Sequence, residues 1–296
     1  MKKLALLLAA LSVASVSYAK EVVPEPVVEE VVVEEAVVAP VAVAPTLRVT
    51  SVGQYLEIDN TSGAEDIGEG VHLGNKVGLA LGDNWTFDLM ARKTWSADTD
   101  DGMKSNGHRI ELGATRHFEN FTVGMKWRGE KDNDRLYIPM SYNYGMVSGW
   151  VEPAYGFTNG SKSANDYYYL EAEPVQFTYG PVQLAYYFEG LKETGDDDNH
   201  EYSHQVRLRG TLYSNDALSL GAEYRYQFAH EVVEKGIDQY ENNRHIGVLS
   251  AAYNVTENLV VDTYYEYDFN KYDAHDAAHK DDDYYGEFGL GWTYNF

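Results

Sequence analysis

The chain has 296 residues, no cysteine and a formal net charge of −24. A balance this acidic repels phosphate and excludes nucleic acid as a partner. The missing cysteines exclude a disulfide scaffold, which a domain of this length does not need.

The first residues read as a processing signal. Lys2 and Lys3 form a charged start, Leu4–Val16 an apolar stretch, and Ser17-Tyr18-Ala19 a small-x-small cleavage site, so residues 1–19 are expected to be removed. Residues 20–45 differ from all that follows. They repeat Glu, Val, Pro and Ala and hold four of the eight prolines, which predicts an extended periplasmic linker. A second reading lets its carboxylates Glu21, Glu25, Glu29, Glu30, Glu34 and Glu35 fold into a basic lumen as a plug. No later stretch is apolar for about 18 residues, so no membrane helix is expected.

From residue 46 to 296 a period of two takes over. Val71, Leu73, Val77, Leu79 and Leu81 alternate with His72, Lys76 and Ala80. Phe121, Val123, Met125 and Trp127 alternate with Thr122, Lys126 and Arg128, and Leu218 to Phe228 repeats the pattern. Period two puts each set on its own face of a strand. Fourteen such segments begin near 46, 70, 85, 107, 121, 135, 149, 166, 182, 201, 217, 243, 258 and 284, and those near 46, 149, 166 and 243 alternate poorly, which leaves twelve to sixteen open.

Short connections at 82–84, 119–120, 147–149, 179–181, 214–216 and 254–257 alternate with longer acidic ones at 59–69, 96–106, 129–134, 158–165, 191–200, 230–242 and 270–283. The fold class this predicts is all-β: an antiparallel up-and-down transmembrane barrel with short turns at one end and long loops at the other. Outward positions carry Trp85, Trp95, Phe118, Trp127, Tyr202, Tyr213 and Phe269, where interfacial girdles belong.

The last strand ends Trp292-Thr293-Tyr294-Asn295-Phe296. It resembles the C-terminal assembly signal of bacterial outer-membrane proteins, and the resemblance implies insertion by the barrel assembly machinery through Trp292, Tyr294 and Phe296. Length and strand count resemble small monomeric fourteen-stranded porins, and the Glu-Val-Pro-Ala leader is similar to that of fusobacterial outer-membrane porins. The chain lacks the long inward-folding loop of the large trimeric porins, so monomer and trimer both stay open.

Alternation assigns inward cations Lys76, Arg92, Arg109, Lys126, Arg128, Arg207, Arg209 and Arg225. It assigns inward carboxylates Glu171, Glu173, Glu189, Asp262, Glu266, Asp268 and Glu287. Charges on the lipid face would cost about 2–4 kcal/mol each near the bilayer centre, which favours the inward placement. Arg92, Arg109 and Arg128 opposite Glu266, Asp268 and Glu287 would set a transverse field across the lumen. The expected function is a porin passing ions and small hydrophilic solutes; the alternative is a surface adhesin or structural barrel acting through its acidic loops. Expected partners are outer-membrane lipid, lipopolysaccharide and small solutes.

No catalytic constellation is legible. His72, His117 and His245 are too dispersed for a barrel protease, and no serine motif accompanies the outward His108 and His204, so no enzyme is expected. His275 and His279 beside Asp273, Asp276 and Asp281-Asp282-Asp283 read as a hydrated acidic loop, as does Asp196-Asp197-Asp198, and no metal or cofactor is assigned.

Overall fold

The computed structural model describes residues 45–61, 70–98, 102–158, 165–195, 197–274 and 283–296. The predicted leader, residues 20–44 of the predicted linker, the plug carboxylates, Asp196, and the His275–His279 loop lie outside them, as do the side chains of Asp273 and Asp283.

The elements are Leu47–Thr61 (β1), Val71–Leu81 (β2), Trp85–Asp98 (β3), Gly102–His117 (β4), Phe121–Glu130 (β5), Asn133–Tyr137 (β6), Met140–Tyr144 (β7), Val147–Thr158 (β8), Tyr167–Tyr179 (β9), Val182–Glu193 (β10), His200–Ser214 (β11), Leu218–Glu234 (β12), Ile237–Asn254 (β13), Leu259–Ala274 (β14) and Asp283–Asn295 (β15). Each pairs antiparallel with its neighbours, and β1 pairs with β15 from Ser51↔Asn295 to Thr61↔Tyr285. β6 and β7 are two pieces of one stave. Both lie between β5 and β8, separated by Ile138-Pro139. Pro139 has no N–H to give, but its carbonyl still accepts from Gly124 N at 2.8 Å, so the ladder steps over the proline without opening. The result is a closed ring of fourteen staves. Closure leaves no strand edge, the condition a sheet must meet to span lipid.

The two faces differ as the alternation requires. Leu89, Ile110, Leu112, Met125, Leu184, Leu208 and Leu249 are exposed large apolar groups, with Leu249 at 61%. Their neighbours in sequence, Asp88, Arg109, Glu111, Lys126, Gln183, Arg207, Arg209 and Ser250 among them, lie on the opposite face.

Register bulges interrupt β1 at Val49/Ser51 and β9, where one extra residue faces Tyr186/Phe188 of β10 and Ser148/Trp150 of β8. Here the period-two pattern slips by one, which is why these segments alternate poorly in the sequence.

Several connections are shorter than the sequence suggests. Residues 230–242 are not a loop. β12 runs to Glu234, β13 starts at Ile237, and Lys235 (φ 53°) and Gly236 (φ 71°) form a two-residue turn. Both central residues in the left-handed region is the pattern of a type I′ hairpin, which matches strand twist. Likewise only Lys131 and Asp132 separate β5 from β6, and β3 and β4 pair out to Asp98↔Gly102. The polar stretches were misread because strands that leave the membrane meet water on both faces and lose their alternation.

Candidate functional site

One observation assigns the inner face. Side chains on staves two apart touch one another: Arg225 (β12) reaches Glu266 (β14) at 3.0 Å, and Arg207 (β11) reaches Glu173 (β9) at 2.9 Å. Lys126 (β5) meets Glu152 (β8) at 2.6 Å across the β6–β7 stave, and Tyr264 (β14) donates to Glu57 (β1) at 3.2 Å across β15. Curvature brings side chains together on the concave face of a sheet and spreads them on the convex face. These contacts therefore belong to the inside of the ring.

Register carries the same face around the wall. Glu57 pairs with His72, His72 with Thr94, Arg92 with Arg109, and Glu111 with Arg128. Asp59 pairs with Glu287, Glu287 with Glu266, and Glu223 with Arg209. All fifteen charged residues expected inside fall on this face, Asp262 opposite Gly291 and Glu171 opposite Glu189 among them.

The charges do not form opposed walls. The three arginines expected to form the basic wall each have a carboxylate nearby. Arg92 lies 3.8 Å from Glu57, Arg109 binds Glu130 at 2.5 Å, and Arg128 binds Glu111 at 2.6 Å. On the other half Arg225 holds Glu266, and Arg244 holds Asp268. The transverse field expected from Arg92, Arg109 and Arg128 facing Glu266, Asp268 and Glu287 is thus largely cancelled at short range, because opposite charges at contact distance leave mainly a dipole. Glu57, Glu111, Glu130, Glu152, Glu223 and Arg244 were not singled out in the sequence, yet they are the counter-ions that decide this. Their parity with the assigned cations was the available signal.

A relay of charge runs along the wall from β9 to β14: Glu173, Arg209, Glu223, Arg225 and Glu266, with each step at or below 3.0 Å. Glu173 anchors it, with a side chain only 2% exposed. Tyrosine is the other constituent. Tyr169 and Tyr187 donate to Glu171 and Glu189 at 2.8 to 3.2 Å. Arg207 lies over the Tyr187 ring at 3.5 Å, Arg135 over Tyr169 at 4.9 Å, and Lys76 over Tyr55 at 4.6 Å. Rings that fill the space between staves and give each cation a π-face make a rigid lining.

Among the described residues, this lining borders open space in at least two places. A cavity of about 650 Å³ is bordered by Gln183, Arg209, Glu223, Arg225, Glu266 and Glu287. Another of about 360 Å³ is bordered by Arg135, Tyr169, Glu189, Gln205, Gln227 and Arg244.

No protein-family model matches the chain, and no curated protein matches it. Solved structures do. A bacterial polysaccharide outer-membrane secretin overlays with a TM-score of 0.53 at 10% identity, covering 83% of this chain and 98% of its own. The fold is that of an outer-membrane β-barrel. An anion-selective porin from Comamonas acidovorans gives a TM-score of 0.48 at 12% identity, covering 85% of this chain and 100% of its own. OccAB3 of Acinetobacter baumannii gives 0.49 at 8% identity, covering 84% and 99%.

Proposed function

We propose that this barrel is a porin: a water-filled outer-membrane channel for passive diffusion of ions and small hydrophilic solutes. The observation that carries the reading is the composition of the concave face. A fourteen-stave ring is too wide for its side chains to close as they do in an eight-strand barrel. Its inner charges keep contact with solvent, as Arg209 does at 28% and Arg109 at 23% side-chain exposure. Charge held in a wet lumen costs little, whereas a dry core would not keep so many ionised groups.

Lys76, Arg92, Arg109, Lys126, Arg128, Arg207, Arg209 and Arg225 are the proposed pore-lining cations. Glu171, Glu173, Glu189, Asp262, Glu266, Asp268 and Glu287 are the proposed pore-lining carboxylates. Because Arg92, Arg109 and Arg128 are each paired, ion selectivity is weak and set by the balance within pairs. In this reading the chain reaches the outer membrane by its signal peptide and the barrel assembly machinery, with Trp292, Tyr294 and Phe296 as the assembly signal. It then sits among outer-membrane lipid and lipopolysaccharide as a monomer or trimer.

The test is recording from purified protein in a planar bilayer. Stepwise conductance is expected. Changing Arg92, Arg109 and Arg128 together to Ala frees Glu57, Glu111 and Glu130, so the permeability ratio moves toward cations. Silence at all voltages from a correctly folded barrel would refute the channel and favour a closed surface barrel.

A further inference from the structure

We propose that Glu57, Asp59 and His72 form a binding site for a divalent first-row transition metal, of which zinc is the reference case, on the inner wall of β1 and β2. The site stands whether or not the lumen conducts.

Glu57 and Asp59 are two apart on β1, so they share a face, and His72 pairs with Glu57 across the β1–β2 ladder. One ligand atom from each lies within 4.8 Å of the others. His72 Nε2 is 3.1 Å from Asp59 Oδ2 and 4.0 Å from Glu57 Oε1. Two ligand atoms bound about 2.0–2.1 Å from a tetrahedral zinc stand about 3.3 Å apart, so the first separation is already that of co-ligands. The second closes with a small side-chain rotation of Glu57.

Two of the three donors have a supporting partner. His72 Nδ1 is engaged by Thr94 Oγ1 at 2.9 Å, which fixes the ring and turns Nε2 toward the carboxylates. Tyr264 donates to Glu57 Oε2 at 3.2 Å, leaving Oε1 on the His72 side. Outer partners of this kind hold metal ligands in place.

A His–Asp hydrogen bond alone accounts for the 3.1 Å contact. Two further observations go beyond it. Asp59 Oδ1 makes no hydrogen bond of good geometry, and its nearby donor, the Tyr285 hydroxyl, is given to Glu287 at 3.0 Å. Gly70 leaves space at the same spot: a Cβ there would stand 2.4 Å from Asp59 Oδ2 and 2.8 Å from His72 Nε2, so only glycine keeps this room open beside both ligand atoms. The charge points the same way. Glu287 pairs in register with Asp59 and adds a third carboxylate to this part of the wall, with Arg92 3.8 Å from Glu57 as the nearby cation. One nitrogen and carboxylate oxygens suit zinc and its first-row neighbours over calcium or magnesium, which take oxygen alone.

The experiment is equilibrium dialysis of the full-length, untagged, detergent-folded barrel against Zn²⁺, Ca²⁺ or Mg²⁺, with retained metal counted by mass spectrometry. One zinc per chain is expected, with neither calcium nor magnesium held at the same concentration. His72→Gln and Asp59→Asn should lose zinc, and Thr94→Val should weaken it by about tenfold. Glu223→Gln, an acid elsewhere in the lumen, and the double change His275→Gln/His279→Gln should retain it. Heat-dependent gel migration reports whether each variant is folded. If His72→Gln does not fold, the wild-type stoichiometry and Thr94→Val decide. No zinc on the wild type, equal retention of calcium, or loss that follows His275 and His279 overturns the proposal. A barrel that conducts and binds no zinc removes this site alone. A silent barrel that holds zinc removes the porin reading alone.

Discussion

Glu173 is where the lining is most sensitive to a single charge. Its carboxylate accepts from Arg207 Nη1 at 2.9 Å, and from Arg209 Nη1 at 2.8 Å and Nη2 at 2.5 Å. Glu173→Gln keeps the shape and removes the charge, and its amide nitrogen then faces guanidinium donors. The two arginines do not suffer equally. Arg209 keeps Glu223 at 3.0 Å and is 28% exposed. Arg207 is 13% exposed and keeps only Gln205 at 3.0 Å and the Tyr187 ring. It is the stranded cation. Removing one partner of a buried pair costs about 3–5 kcal/mol, and water reaching Arg209 places this case near the lower end. Urea unfolding in lipid vesicles, followed by tryptophan fluorescence, reads the loss as a lower midpoint. Arg207→Gln should cost less in the Glu173→Gln background than alone, with a coupling of about 1–3 kcal/mol. Lys192→Ala breaks the Lys192–Asp198 pair, whose side chains are 49% and 59% exposed, and should leave the midpoint unchanged. If Glu173→Gln costs less than about 0.5 kcal/mol, the pair behaves as one in open water and the structured lining is refuted.

Other positions test other levels of the account. Leu249→Arg puts a charge on the convex face and should destabilise the folded barrel by about 2–4 kcal/mol in vesicles, while Val248→Arg, one residue away beside the larger cavity, should be tolerated. Gly236→Val forces a β-branched residue to φ 71° at the β12–β13 turn and should cost about 1–2 kcal/mol in the same unfolding assay. Removing Phe296, whose N–H donates to Thr50 O at 3.0 Å, should reduce the heat-modifiable barrel recovered from outer membranes without preventing refolding in detergent.

The wall was legible where lipid faces one side and water the other, because that contrast writes itself every second residue. Phe121 to Arg128 and Leu218 to Phe228 are such stretches, and their inward cations fall where parity puts them. Two kinds of feature escaped. Val232, Val233, Ile237 and Asp238 extend a hairpin past the alternating stretch, so composition resembled a loop, although Lys235-Gly236 was its turn signal. The sign pattern of the lumen escaped for a different reason. Residue type tells which side chains face water, but which Glu meets which Arg depends on stagger between staves. That Arg225 reaches Glu266, two staves away, is a property of curvature, and curvature is absent from a string of letters.

The seam between β1 and β15 has a kinetic consequence. It joins the first stave to the last, with Ser51 opposite Asn295, so the slowest contact to find is also the one that completes the ring. A chain lacking it would present two rows of unpaired amides and carbonyls to hydrocarbon, each unsatisfied group costing several kcal/mol. Partly zipped forms inside the bilayer are therefore too high in energy to accumulate. Entry into the membrane and the final zip must happen together, and any catalyst of insertion has to shelter those two margins until they meet.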